Sequence, residues 1–374
     1  MLKNVKIILV TLLLIVYTNI SVFADTNAPQ SSGKAAVLMD GASGRILYEK
    51  NAYERLPMAS TTKIMTAIVA LEYGRLDDKV TIPPEASGIE GSSIWLSAGE
   101  THTLEDLLYA LMLRSGNDAA TAIALHIGGS IEGFAGMMNK TAKKIGAHNT
   151  HFVNPHGLHH DDHYTTAYDL ALITAYGLKN PVFEKIVSTR YHTMPWEGHK
   201  WDRAMMNKNK LLWSFEGANG VKTGYTKKAG RCFVGSAKRD NLQLIAVVLN
   251  CGPMFEESAA LLDYGFKNYK NIDLVEKGRE IKKVPVRKGK QDSVALIAGD
   301  SYSMALKETE FEKVRTEEDV PNELQAPVTE GEKVGSIKIY FNDNYLYEVP
   351  VVIGQTVEKR TFWDFVRRMV NIWR

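Results

Sequence analysis

Strand-type and helix-type segments are segregated along the first 270 residues of this chain, and that segregation restricts how it can fold. Residues 35–40 and 45–49 read as a hairpin around Gly41-Ala42-Ser43-Gly44. Strand patterns return only at 221–226, 232–237 and 242–249, and a helix over 256–266 closes the unit. Between them the apolar spacing is helical. Residues 60–73 place Ile64, Ile68 and Leu71 on one stripe, with Gly74 positioned to cap the helix. Residues 104–145 are mostly helical, broken at Arg114-Ser115-Gly116-Asn117 and at Gly128-Gly129. Strands at both ends with helices between predict one sheet built from distant segments and backed by helices, a mixed α/β (α+β) domain.

From about residue 272 the texture changes to short alternating runs at 280–286, 293–297, 334–341 and 345–352, with a turn at Asn342-Asp343-Asn344. These predict a small all-β domain. The last residues, 359–374, put Phe362, Val366, Met369, Val370 and Trp373 on one helical face, while Lys359, Arg360, Arg367, Arg368 and Arg374 lie elsewhere. A basic amphipathic helix of this kind suits a membrane interface and is too short to span.

At the other end, Lys3 and Lys6 precede an apolar run over 7–16, and Val22-Phe23-Ala24 ends in a small residue. That is the layout of a secretory signal cut after Ala24, so the chain is expected to be exported. The expected division is a signal over 1–24, a linker over 25–34, a main domain over 35–270, a β-rich domain over 271–356 and the amphipathic helix over 357–374. A chain of 374 residues, 45% hydrophobic and 24% charged, holds a sizeable core. Its net charge of +2 does not point to nucleic acid. Cys232 and Cys251 lie in apolar runs that read as neighbouring strands, with free thiols and a bridge both open.

Three short motifs carry chemistry, and each is ordinary alone. Ser60-Thr61-Thr62-Lys63 opens an expected helix, where a three-residue step puts Ser60 and Lys63 on one face. Serine needs a neighbour to take its proton, and a lysine does so only as the neutral amine. The helix N-terminus and a second cation would both disfavour charge on Lys63. Ser31-Ser32-Gly33-Lys34 repeats the spacing in a linker with no helix to fix it, and an isolated serine at 60 would read as an N-cap. Ser115-Gly116-Asn117 sits between apolar helices, where a hydroxyl can relay a proton and an amide can hold a substrate carbonyl. Alone it would read as a glycine stop and a capping asparagine. Lys222-Thr223-Gly224, followed by Tyr225, lies on an expected strand. Lysine and threonine suit a carboxylate, and glycine lets a substrate backbone lie close. Alone, this would be a solvent-facing pair on an edge strand. The three in this order are specific where each is weak.

The set resembles the penicillin-binding and serine β-lactamase superfamily, with its Ser-x-x-Lys, Ser-x-Asn and Lys-Thr-Gly motifs. More narrowly, Met58-Ala59-Ser60-Thr61-Thr62-Lys63-Ile64-Met65-Thr66, Ser115-Gly116-Asn117-Asp118-Ala119 and Val221-Lys222-Thr223-Gly224-Tyr225-Thr226 are similar to the low-molecular-mass, serine-type D-Ala-D-Ala carboxypeptidases. The likeness extends through Asn154-Pro155-His156-Gly157-Leu158 into the β-rich end. It implies a sheet-and-helix catalytic domain, a small β domain and a helix that associates with the outer face of the cytoplasmic membrane. It also implies removal of the terminal D-alanine from peptidoglycan stem pentapeptides, through an acyl-enzyme on Ser60 that penicillin also forms, in cell wall biogenesis and shape. Lys63 would be the base and Ser115 would pass the proton. Asn117 would position the stem peptide, Lys222 would hold the electrostatics, and Thr223 would contact the terminal carboxylate beside Gly224. The N–H groups of Ser60 and Tyr225 would form the oxyanion hole. No metal or organic cofactor is implied, and the partners are the stem peptide, β-lactams and the membrane surface.

One departure stands out. An arginine that some members carry before the last catalytic-domain helix is replaced by Cys251-Gly252-Pro253-Met254-Phe255, which leaves Thr223, Thr226 or a cation such as Arg231 to meet the carboxylate. The Glu-x-x-Leu-Asn pattern of class A β-lactamases is absent, and no further span of a membrane sensor follows the signal. His148, His151, His156, His159, His160 and His163, beside Asp161 and Asp162, invite a metal reading. Pro155 and Gly157 break the segment, and the resemblance accounts for it as a loop at the active-site rim.

Overall fold

In the computed structural model, which describes residues 28–364, the distant strand segments meet in one five-stranded sheet. Its order is Ile46–Lys50, Ala35–Asp40, Leu242–Leu249, Gly230–Arg239 and Ala218–Thr226, with every neighbour antiparallel. Leu242–Leu249 is central because both of its faces are apolar. Ile245, Val247 and Leu249 join the core shared with the helices, while Leu244 meets Gly265 of the helix Met254–Asn268 on the other side. A Cβ at Gly265 would lie 2.5 Å from Leu244, so glycine sets that helix-to-sheet spacing. Opposite it pack the helices Lys63–Tyr73, Asn117–Gly128, Ile131–Ile145 and Ala167–Leu178. The chain from Ser31 onward forms one compact unit.

The helix expected over 60–73 opens as a 3-10 turn, Ala59–Thr62, and becomes α-helical only at Lys63. Gly74 does cap it, in extended rather than left-handed geometry (φ −107°), with its N–H on the Ala70 carbonyl. Glycine is needed there because a Cβ would lie 2.5 Å from Leu104. The break at Arg114 is a π turn, Ala110–Arg114, that follows the helix Leu104–Tyr109. The helix Pro181–Ser188 and the hairpin of Tyr191–Met194 with Arg203–Met206 lie in a stretch that carried no assignment from sequence.

Beyond residue 270 a six-stranded sheet runs in the order Val314–Asp319, Lys333–Phe341, Asn344–Ile353, Ser293–Ala298, Glu280–Arg287 and Leu324–Gln325. Val284, Leu296, Ile339, Val349, Val351 and Ile353 fill its core. This part is tied to the first hairpin by charge and backbone together. Arg45 pairs with Glu310 at 2.6 Å and donates to the Ala305 carbonyl at 2.7 Å, and the Ala305 N–H donates to Asp40 at 2.9 Å.

Two expectations need correction. Val357 to Thr361 is not helical: Val357 is buried in the β core and bridged to Val328, Lys359 bridges Gly289, and Arg360 pairs with Asp292. Only Phe362 to Asp364 is helical among the described residues. The rest of the amphipathic segment, and the expected signal over 1–24, lie outside them. Cys251 lies past the end of its strand rather than within it, and both cysteines are free and buried. Burial pushes the Cys232 thiol up to about 11, and burial with the Glu257 carboxylate, 3.1 Å away, pushes Cys251 up to about 12. Neither thiol is a reactive thiolate.

Candidate active site

Ser60 sits on the 3-10 turn, half-buried, with Ala59 in the left-handed region (φ 49°). The turn is held by its own threonines. Thr61 Oγ1 donates to the Met58 carbonyl at 2.6 Å, and Thr62 Oγ1 donates to that of Ala59 at 2.8 Å. A second clamp comes from His163, whose Nδ1 accepts from the Val153 N–H at 3.1 Å. Its proton is therefore on Nε2, which donates to Thr62 Oγ1 at 2.8 Å. Burial lowers this imidazole to about 3, so it stays neutral. Ser60 does not act as an N-cap, since no side-chain cap bond is made at this turn.

Lys63 is fully buried, and its Nζ has three neighbours: the His156 carbonyl at 2.6 Å, Asn117 Oδ1 at 2.7 Å and Ser60 Oγ at 3.1 Å. Two of them are carbonyl oxygens, which only accept. They take two N–H bonds and leave the third tetrahedral position facing a hydroxyl that can donate. As a neutral amine, Lys63 thus aims its lone pair at the Ser60 proton. Burial drives its pKa well below the usual amine value, and the ammonium groups of Lys222 and Lys208 add to the effect. Expectation and structure agree on the direction. The largest cause is burial, which the sequence did not display.

The buttress behind Lys63 is the loop carrying Asn154 to Leu158. Asn154 Oδ1 accepts from the Gly157 N–H at 2.7 Å, and Thr66 Oγ1 donates to the Pro155 carbonyl at 2.6 Å, which turns the His156 carbonyl onto Lys63. Gly157 has φ +88°, and a Cβ there would lie 1.9 Å from the Ala59 carbonyl oxygen, so the loop packs backbone to backbone against the serine turn. The histidines of this region therefore build the site's frame. Among the described residues no group of three or more His, Cys, Asp or Glu is placed to hold a metal ion.

Ser115 has left-handed geometry (φ 66°, ψ 34°) after the π turn, whose Ala110 carbonyl accepts from its N–H. It is buried and lines the cleft with Ser60. Asn117, expected to hold a substrate carbonyl, already uses both ends of its amide: Oδ1 on Lys63, and Nδ2 donating to the Glu90 carbonyl at 2.5 Å. In this structure it positions Lys63. The edge strand Ala218–Thr226 forms the facing wall. A Cβ at Gly224 would lie 2.9 Å from the Ser60 nitrogen, so glycine brings strand and turn together. Lys222 is buried, donates to the Thr223 carbonyl at 3.1 Å, and is lowered to about 7 by burial and by Lys208.

The cleft has a volume of about 500 Å³, and its lining includes Ser60, Ser115, Thr223, Gly224 and Tyr225. Sequence reasoning missed Ser92 and Lys208, which also line it. Lys208 donates to Ser92 Oγ at 3.3 Å, and partial burial and Arg114 lower its pKa. No spacing rule links Asn207-Lys208-Asn209 to the other motifs. Only the fold brings a third amine here.

Comparison with known proteins agrees with this geometry. Residues 23–252 match a family described as D-alanyl-D-alanine carboxypeptidase, and residues 269–359 match the penicillin-binding protein 5 C-terminal domain. The chain is 35% identical over 367 residues to the D-alanyl-D-alanine carboxypeptidase DacF of Bacillus subtilis, covering 94% of each. It is 33% identical to the D-alanyl-D-alanine carboxypeptidase DacC of Escherichia coli, covering 92% of this chain and 90% of the relative. Crystal structures of penicillin binding protein 5 from Haemophilus influenzae superpose with a TM-score of 0.74 at 30% identity, over 89% of this chain and 100% of that one.

Proposed function

The chain belongs to the D-alanyl-D-alanine carboxypeptidase family and is a hydrolase of that family, and on that premise we propose that it removes the terminal D-alanine from peptidoglycan stem peptides through an acyl-enzyme on Ser60. The observation that carries the assignment is the Lys63 amine held between two carbonyls with its third direction on Ser60 Oγ. Lys63 takes the Ser60 proton as the hydroxyl attacks the D-Ala–D-Ala carbonyl. Ser115, which lines the same cleft, hands a proton to the leaving D-alanine. Lys222, near neutrality by its environment, supplies positive charge beside the developing oxyanion, which the Ser60 and Tyr225 N–H groups receive. Asn117 acts through Lys63. Water then clears the acyl-enzyme.

β-Lactams enter the same reaction as covalent inhibitors. Incubation with penicillin, digestion and mass spectrometry test the assignment, with the adduct expected on the peptide containing Ser60. An adduct on another serine, or none, overturns it.

We further propose that the chain is exported with its first 24 residues removed, that residues 35–270 are the catalytic domain and 271–356 the β domain, and that its C-terminal segment rests on the outer face of the cytoplasmic membrane. Among the described residues no helix is long and apolar enough to cross a membrane. Phe362 and Trp363 are exposed side by side, and the basic residues after them suit anionic head groups. Because residues 357–361 belong to the β-domain framework, the informative deletion starts at Phe362. It is expected to release the protein from membranes into the soluble fraction while leaving hydrolysis of a soluble D-Ala-D-Ala peptide within about twofold, since the segment lies outside the cleft-lining residues. Continued sedimentation with membranes after signal cleavage places the anchor elsewhere.

A further inference from the structure

Beside the proposed catalytic groups, the cleft is lined by a cation with no task in that chemistry, Arg231. The hairpin of Ala218–Thr226 with Gly230–Arg239 sets Arg231 directly opposite Tyr225, and Phe233 opposite Thr223. Residues opposed in an antiparallel ladder share a face. Thr223, Tyr225, Arg231 and Phe233 therefore project from one side, and Lys222 and Gly224 from the other. Phe233 is buried against Phe255 at 4.9 Å between ring centres, which closes the far end of that face. What faces the cleft is the Thr223 hydroxyl and the Arg231 guanidinium. Neither side chain makes a hydrogen bond or ion pair with the described residues, whereas the Arg231 backbone is fixed through its carbonyl, which accepts from the Cys251 N–H at 2.8 Å.

We propose that Arg231, together with the Thr223 hydroxyl, grips the carboxylate on the leaving residue of the substrate, a proposal that rests on the carboxypeptidase reading of the cleft. Guanidinium matches a carboxylate in a two-bond fork that a lysine cannot reproduce. The other candidates are engaged. Thr226 Oγ1 accepts from the Ala229 N–H at 3.0 Å, and Lys208 donates to Ser92 Oγ while acting electrostatically on Lys63 and Lys222. It follows that the enzyme favours peptides whose leaving amine bears an adjacent free carboxylate, and acts poorly on cross-links or capped peptides that lack one.

The test compares kcat/KM for two matched peptides, one ending in D-Ala-D-Ala and one in D-Ala-D-alaninamide, across wild type, Arg231→Gln, Arg231→Lys and Lys208→Gln. Arg231→Gln is expected to lower kcat/KM on the acid peptide by about 10- to 100-fold and on the amide by less than about threefold, with Arg231→Lys recovering part of the loss. Lys208→Gln is expected to act on both peptides alike. An unchanged acid-peptide rate in Arg231→Gln, an equal loss on both peptides, or an acid-selective loss in Lys208→Gln overturns the assignment to Arg231. A wild-type protein that neither releases D-alanine nor takes penicillin on Ser60 overturns the carboxypeptidase reading itself.

Discussion

Ser60→Ala is expected to eliminate penicillin acylation and to lower D-alanine release by about 10⁴-fold or more, the scale seen when a covalent nucleophile is removed. Neither substrate binding nor the oxyanion donors can replace the missing bond-forming oxygen. The fold should survive. The Ser60 hydroxyl is only half-buried and meets Lys63 alone, whereas the turn is held by Thr61, Thr62 and His163. Lys63 keeps its two carbonyl partners. Thermal unfolding should therefore shift by no more than a few degrees. A variant that melts like the wild type and still forms a stable penicilloyl adduct at the wild-type rate removes Ser60 from the mechanism.

Lys63→Arg is the second large effect, with an expected loss of at least about 10³-fold in the acylation rate. A guanidinium cannot give up a proton in the working range, so the variant keeps the charge and loses the base. A permanent charge in this buried position, beside Lys222 and Lys208, also lowers stability, so circular dichroism and a thermal melt should accompany the rate. The pH dependence supplies an independent reading. In the wild type, acylation should fall as the pH drops through the Lys63 pKa, because protonation consumes the lone pair that faces Ser60. Lys222→Gln removes one of the cations that disfavour the Lys63 ammonium. The Lys63 pKa then rises, and the acid limb should move to higher pH. A limb that stays in place, measured by stopped-flow acylation, shows that Lys222 does not tune this amine.

Much of the architecture is legible in the sequence because local pattern and tertiary role coincide there. Leu242–Leu249 is apolar throughout apart from Gln243, and a strand buried on both faces has no other way to look. The alternation in Ser293–Ala298 likewise reports one buried and one wetter face. The Ser60/Lys63 spacing is readable, yet the reason it works is not. The partner carbonyl comes from His156 and the partner amide from Asn117, two segments brought together only by packing. Lys208 and Arg231 are missed or left undecided for the same reason, since their relation to Ser60 is spatial. The end of the β domain misled in the opposite direction. Lys359 and Arg360 fit a helical charge pattern, but Val357 is committed to the β core, and the bridge to Gly289 holds this stretch extended.

The winding between Ala110 and Arg114 also bears on which changes of length this framework tolerates. The Ala110 carbonyl accepts from the N–H of Ser115, five residues on, so the turn holds one residue more than an α-helical turn. Loss of a single residue from these five would restore ordinary pitch and swing everything downstream about 100° around the axis. Ser115 would leave the cleft and Asn117 would leave Lys63, although every side chain named in the chemistry was still present. The Gly128-Gly129 junction one helix later is the contrasting case. Gly129 opens onto empty space, so extra residues there have room to loop outward without turning either wall of the cleft.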